Sequence, residues 1–208
     1  MPIAAYPGHI IGMDMCGPFP LSPHGNKYIL TIIDHCSGWV ELKPLPTKES
    51  KNILRYLEQE YLPRYGAPEI CITDQGQEFQ GLPLKQFMAE VGIETRRTTP
   101  YHSVTNGRIE QFHRTLKDMI RKLVNHRAQD WEDCLGQALW AHRISTSTVT
   151  GFTPFFLQYA RKTRAPLTHM LNRTDGADPR AIGARIDLLA DAFKEAARFT
   201  EESQKVQS

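Results

Sequence analysis

HIIGMDM at residues 9–15, YILTIID at 28–34 and WVELKPL at 39–45 are three runs dense in Ile, Leu, Val and aromatic side chains. Turn-forming stretches, GPFPLSPHGNK and then HCSG, separate them. Runs of this length bounded by Gly, Pro, Asn and Ser read as strands, and their close succession predicts an antiparallel meander. Beyond the third run the period changes from strand to helix. Ile53, Leu54, Leu57 and Tyr61 share one face of a helix that Thr47 can cap and that Gly66 with Pro68 closes. EICITD at 69–74 predicts a short strand, Leu84, Phe87, Met88 and Val91 a helix stopped at Gly92, and Glu94 to Thr98 another short strand. Residues 99–107, TPYHSVTNG, read as a polar loop leading into a long amphipathic helix with Ile109, Phe112, Leu116, Met119, Ile120 and Leu123 at 3/4 spacing. Asp130 caps a further helix bearing Trp131, Leu135, Ala138 and His142, and Thr153-Pro154 starts a short one. Strands first, then strands alternating with helices, give an α/β domain with a mixed sheet. From Asp178 onward Ile182, Ile186, Leu189, Phe193 and Ala196 form a stripe on an otherwise charged helix, which packs on this domain or on a partner.

The chain has 208 residues, enough for one domain of ordinary size with an appendage. No apolar stretch approaches a membrane span, and MPIAAYPGH lacks the basic flank and apolar run of a signal peptide, so a soluble intracellular protein is expected. Cys16, Cys36, Cys71 and Cys134 are spread singly and are expected as reduced, packed thiols rather than a zinc knuckle or a disulfide framework. Trp39, Trp131 and Trp140 lie at core-pattern positions. The net charge of +2, from 25 basic and 23 acidic residues, argues on its own against a nucleic-acid partner. Its distribution argues the other way. Residues 96–127 hold eight basic side chains (Arg96, Arg97, Arg108, Arg114, Lys117, Arg121, Lys122, Arg127) against Glu110 and Asp118, a local +6. The remainder of the chain is at −4.

Asp14 interrupts an apolar strand-like run and Asp74 ends another. A carboxylate so placed must be solvated at a strand end, paired, or bound to a cation, because an ionised group buried alone costs several kcal/mol. Glu110 stands after the Gly-containing loop, in the expected first turn of the long helix, with 59 residues between Asp14 and Asp74 and 35 between Asp74 and Glu110. Glu110, Arg114, Lys117 and Arg121 fall at i, i+4, i+7 and i+11, so one helix face carries the acid and three cations. A solvated salt-bridge face is the plain reading of that pattern, and DNA backbone lying along it is the functional one. Asp34 reads as a structural strand-end residue and Glu78 as a supporting polar one.

Asp14 in GMDMCGPFP, Asp74 in ITDQGQEF and Glu110 in PYHSVTNGRIEQFHRTLK resemble the D, D-35-E triad of retroviral and long-terminal-repeat retrotransposon integrases, gypsy type. DHCSGWVELKPLPTK, RYGAPEICITDQGQEF and ALWAHRISTSTVTGFTPFFLQYARKTRAPL extend the resemblance over roughly residues 8–170 in the expected order. The resemblance implies a ribonuclease H-like fold, a five-stranded mixed sheet flanked by helices, spanning residues 1–172, with a C-terminal helical extension at 173–208. It implies two Mg²⁺ or Mn²⁺ ions held by Asp14, Asp74 and Glu110, which would trim DNA 3′ ends with water and then join the resulting 3′-hydroxyl to target DNA. It carries DNA contacts to Tyr101, Asn106, His113, Arg114, Lys117 and Arg121, and implies homodimers or higher oligomers acting on chromosomal DNA in the nucleus. Family members carry an N-terminal zinc domain and a C-terminal DNA- or chromatin-binding domain, neither of which is in these 208 residues. Gln111 stands where the gypsy type usually has Arg. Two other readings therefore remain: a domesticated or decayed relic that binds DNA or protein without catalysis, and a nuclease of the same fold acting on RNA in hybrids.

Overall fold

A computed structural model describes residues 4–97, 103–124, 127–163 and 191–202, with the backbone alone for 103–108. The first three runs form β1 (Ile10–Cys16), β2 (Tyr28–Asp34) and β3 (Val40–Leu45), an antiparallel meander as expected. A helical stretch follows as α1 (Ser50–Tyr56), a wide π-turn over Leu57–Tyr61, and α2 (Leu62–Tyr65). Pro63 has no N–H to give the preceding turn, and the ladder widens there. Then come β4 (Ile70–Thr73), α3 (Leu82–Glu90), β5 (Glu94–Arg97), α4 (Ser103–Leu123), α5 (Leu135–Ile144) and α6 (Pro154–Tyr159). Residues 191–202 are helical and are called α7.

The five strands make one mixed sheet in the order β3-β2-β1-β4-β5, with β4 parallel to β1 and β5 parallel to β4. Alternation along the strands supplies two cores. Ile11, Met13, Leu30 and Ile32 face α1 and α3 with Ile53, Leu57, Leu84 and Met88. Cys16, Ile29, Ile33 and Val40 face α4 and α5 with Ile109, Phe112, Leu116 and Leu135. Gly12 sets the depth of α4 on the sheet. A methyl at that position would stand 2.6 Å from Ile109 Cδ1 and 2.9 Å from His35 Nε2, so any larger residue would have to displace both side-chain ends, two residues before Asp14.

Several local expectations are corrected. Glu49, not Thr47, occupies the cap position of α1, while the Thr47 hydroxyl accepts from Asn52 and donates to Glu49. Asp130 caps no long helix. It lies in a 3₁₀ turn, Ala128–Glu132, where Trp131 is anchored by Nε1–H donation to Pro20 O at 2.8 Å and by stacking on Phe19, and α5 starts beyond it. Trp39 and Trp131 are buried, but Trp140 is 42% exposed, because α5 turns its other face to the sheet. Thr153 and Pro154 start α6 as expected, the Thr153 hydroxyl accepting from Phe156 N–H. All four cysteines are buried and none is in a disulfide.

Edge strand β3 carries a buried ionic hub. Glu41, 6% exposed, accepts from Trp39 Nε1 at 2.9 Å, Tyr65 OH at 2.7 Å, Arg64 Nη1 at 3.2 Å and Arg143 Nη2. The Arg143 guanidinium also lies 3.9 Å from the Trp39 ring centre. In α7, Ala192 and Ala196 pack on Leu157, and Phe193 packs beside Ile10, Ile70 and Ile72. The described part of the tail stripe therefore covers this domain's own surface. Its upstream residues, and the boundary expected at 172/173, lie outside the described residues.

Candidate active site

Asp14 and Asp74 are each the residue after a paired one, Met13 and Thr73, in the parallel ladder of β1 and β4. Strand register thus brings two carboxylates just past the C-terminal end of the β1–β4 ladder, the edge at which open α/β sheets receive ligands. Asp14 is mostly buried, its side chain 19% exposed, and its Oδ1 accepts the Met15 N–H at 2.7 Å. Burial pushes its carboxyl up to about 6, Asp74 and Glu78 add to the rise, and the Met15 N–H and Lys48 oppose it. Asp74 Oδ1 accepts the Gly76 N–H at 2.8 Å.

Glu78 stands beside this pair of acids. Its side chain is 10% exposed, pairs with Lys48 at 3.3 Å, and stands across Gly76 from Asp74. A Cβ on Gly76 would lie 2.8 Å from both Asp74 Oδ1 and Glu78 Oε2, so the bare backbone is what lets the two acids flank it. Gly76→Ala is expected to displace both carboxylates and to weaken divalent-cation binding about tenfold, by analogy with lost outer-shell support. The melting temperature should change by only a few degrees, because the turn's φ is ordinary. Calorimetric titration with Mn²⁺ alongside a melting curve checks this.

Asp34 proves structural, as expected. Its Oδ1 accepts from Cys36 N, Ser37 N and Ser37 Oγ, and its Oδ2 accepts from Gly8 N at 2.7 Å.

Helix α4 begins at Ser103, four residues before the expected loop ends. The packed stripe downstream supports a first turn that Thr, Asn and Gly would not hold alone. Glu110 is therefore not in the first turn but seven residues into the helix, one position after the Ile109 that touches the Gly12 site. It is exposed, as are Arg114, Lys117 and Arg121, so the acid and the three cations do share an open face. Arg121 is engaged at 3.0 Å by Asp118 in an exposed pair. Asn106 falls in the described backbone of α4, and Tyr101 lies outside the described residues.

His113 departs from the exposed face. It is 9% exposed, with Nε2 2.8 Å from Thr31 Oγ1 and Nδ1 3.6 Å from Asp14 Oδ2. Burial, with Lys117 nearby, lowers its pKa to about 4, so the imidazole is neutral at pH 7 and its approach to Asp14 is not an ion pair. Its position was legible in the sequence, because residue 113 continues the stripe of Ile109, Leu116 and Ile120 at i+4, i+7 and i+11. Thr31 and Lys48 carried no such signal.

Among the described residues no group of three His, Cys, Asp or Glu side chains stands at metal-holding distance. Asp14 and Asp74 nonetheless fit a hard divalent cation. They are carboxylate donors just past the end of the β1–β4 ladder, and Asp14 is charged only against burial and two acidic neighbours, a cost that a bound cation offsets.

Residues 4–103 match the family model described as integrase core domain. The chain is 27% identical over 169 residues, 80% of its length, to the retrovirus-related Pol polyprotein from transposon 412 of Drosophila melanogaster, of which it spans 14%. It is 32% identical over 133 residues, 64% of its length, to the Gag-Pol polyprotein of koala retrovirus, of which it spans 8%. It is 31% identical over 137 residues, 65% of its length, to the Pol polyprotein of radiation murine leukemia virus (strain Kaplan), of which it spans 23%. Among solved structures, a chain of the simian T-cell lymphotropic virus intasome in complex with PP2A regulatory subunit B56 gamma superposes with a TM-score of 0.64 at 18% identity, covering 86% of this chain and 61% of that one. The HTLV-2 integrase catalytic core domain in complex with magnesium superposes with a TM-score of 0.58 at 17% identity, covering 74% and 98%. At these identities the superpositions establish the fold, which is ribonuclease H-like.

Proposed function

We propose, from the match of residues 4–103 to the integrase core domain and the likeness to Pol polyproteins, that the chain carries an integrase catalytic core, a polynucleotidyl transferase, and performs DNA 3′-end processing and strand transfer. The gypsy type remains our reading of the motif blocks. The observation that carries the proposal is the placement of Asp14 and Asp74 one residue beyond the β1–β4 parallel ladder, beneath a helix whose Ile109 packs over Gly12 beside them.

Two divalent cations, Mg²⁺ or Mn²⁺, held by Asp14, Asp74 and Glu110, would supply charge stabilisation at the attacking and leaving oxygens of an in-line displacement at phosphorus. The carboxylate oxygens of Asp14, Asp74 and Glu110 would be the protein's share of their ligands. Arg114, Lys117 and Arg121 hold the phosphate backbone along α4, where each cation that neutralises a phosphate adds to the salt dependence of binding, and Tyr101 and Asn106 join them as contacts that the resemblance implies. His113, being buried, leaves that set. Water attacks in trimming and the DNA 3′-hydroxyl attacks in joining, so no protein side chain becomes covalently linked to DNA. DNA and further copies of the chain are the partners, and chromosomal DNA in the nucleus is the site of action.

The test is metal-dependent cleavage and joining of branched DNA. Wild-type protein should act and Asp74→Asn should not. Equal activity in the two would refute the proposal, and DNA binding without metal-dependent turnover in either would favour the non-catalytic relic.

A further inference from the structure

We propose that His113 is a positioning residue for Asp14, keyed into place by the hydroxyl of Thr31. This rests on the reading of Asp14 as a cation ligand. Residue 113 occupies the sheet-facing seam of α4, between Ile109 and Leu116, where an aliphatic side chain would pack at no polar cost. An imidazole there is tolerable only if its nitrogens find partners. Nε2 finds one in Thr31, and Nδ1 faces Asp14 on the same sheet face. Thr31 is directly opposite Asp14 in the β1–β2 ladder and is fully buried, so its side chain and that of Asp14 are cross-strand neighbours.

The ring bridges that pair, with Nε2 2.8 Å from Thr31 Oγ1 and Nδ1 3.6 Å from Asp14 Oδ2. A lone pair on Nδ1 would face a carboxylate oxygen, so the favoured tautomer carries its hydrogen on Nδ1 and accepts the Thr31 hydroxyl at Nε2. The separation of 3.6 Å is beyond hydrogen-bond length, and the ring restrains Asp14 by contact and dipole rather than by a formed bond. The other carboxylate oxygen is fixed by the Met15 N–H at 2.7 Å. Asp14 is therefore held at one oxygen and bordered at the other by groups that do not compete for a cation's charge. Outer partners of this sort typically govern about 10- to 100-fold in metal affinity or activity.

The experiment titrates Mn²⁺ calorimetrically into the intact chain for wild type, Asp14→Asn, Thr31→Val, His113→Leu and His113→Asn, with kcat and KM on branched DNA and a melting curve for each. The expected result is that His113→Leu and Thr31→Val weaken Mn²⁺ binding about tenfold or more and lower kcat with KM for DNA unchanged. His113→Asn, which restores an N–H donor, should recover much of both. Wild-type Mn²⁺ affinity in the Leu and Val variants would overturn the inference, as would a loss confined to KM or an Asn variant as impaired as Leu. Should His113→Leu not fold, Thr31→Val decides, since it exchanges one hydroxyl for a methyl. Absence of Mn²⁺ binding in wild type, or binding indifferent to Asp14→Asn, would instead strike the reading of the site and this inference with it.

Discussion

Asp14→Asn is expected to lower metal-dependent strand transfer by about a thousandfold and, in the same protein without divalent cation, to raise the melting temperature. The loss follows from removing a ligand that contributes several kcal/mol to stabilising charge at the reacting phosphorus, at tenfold in rate for each 1.4 kcal/mol. The gain follows from burial. The folded protein holds the Asp14 carboxyl up at about 6 against an ordinary 3.8, so the folded state binds this proton more tightly than the unfolded chain does. Stability is then highest below the ordinary value, falls as pH rises from about 3.8 to about 6, and stays reduced above that. At pH 7 the deficit is about 3 kcal/mol. Asparagine has no proton to lose, so the variant should melt roughly 5–10 °C higher near neutral pH, and its stability should no longer decline across that window. Adding Mn²⁺ should stabilise wild type and leave the variant unchanged. Wild-type activity in Asp14→Asn would contradict the assignment.

Glu41→Ala is expected to cost about 3–5 kcal/mol, the range for stranding one partner of a buried ion pair. Without the carboxylate, the mostly buried Arg143 keeps its charge without a counter-ion, and Trp39 Nε1–H and Tyr65 OH each lose an acceptor. For a domain of this length that is a fall of roughly 10 °C or more in melting temperature. Asp118→Ala, which removes an exposed pair with Arg121, should change stability by less than about 1 kcal/mol. Thermal melts of the two variants side by side check the contrast, and equal melting temperatures would show that the Glu41 hub contributes little.

How much of this is legible in the sequence depends on what each residue packs against. The strands β1 to β4 announce themselves because their apolar residues fill two cores, one on each sheet face. β5, all of whose side chains are exposed, was found from its place after Gly92 rather than from apolar content. The start of α4 was missed because Ser103 to Gly107 are weak helix formers, and what holds them helical is the packing of Ile109, Phe112 and Leu116 further on. Trp140 was misplaced for the converse reason, since a bulky apolar residue in a helical pattern does not say which face the sheet will take.

At the site, Asp14 and Asp74 stood out as charges in apolar runs, and Glu110 through its spacing. Glu78 is legible only as a supporting polar residue, because its approach to Asp74 depends on Gly76 having no side chain, which is a property of the folded turn. The charge arithmetic for residues 96–127 survives in part as geometry, with Glu110, Arg114, Lys117 and Arg121 exposed on one helix face.

Anomalous diffraction from crystals of the intact chain soaked in Mn²⁺ tests the central claim most directly. The account predicts peaks just past the end of the β1–β4 ladder, within ligand distance of Asp14 and Asp74, with Glu110 swung toward them. Fully soaked crystals with no peak at those carboxylates, or with manganese bound only elsewhere, would contradict it.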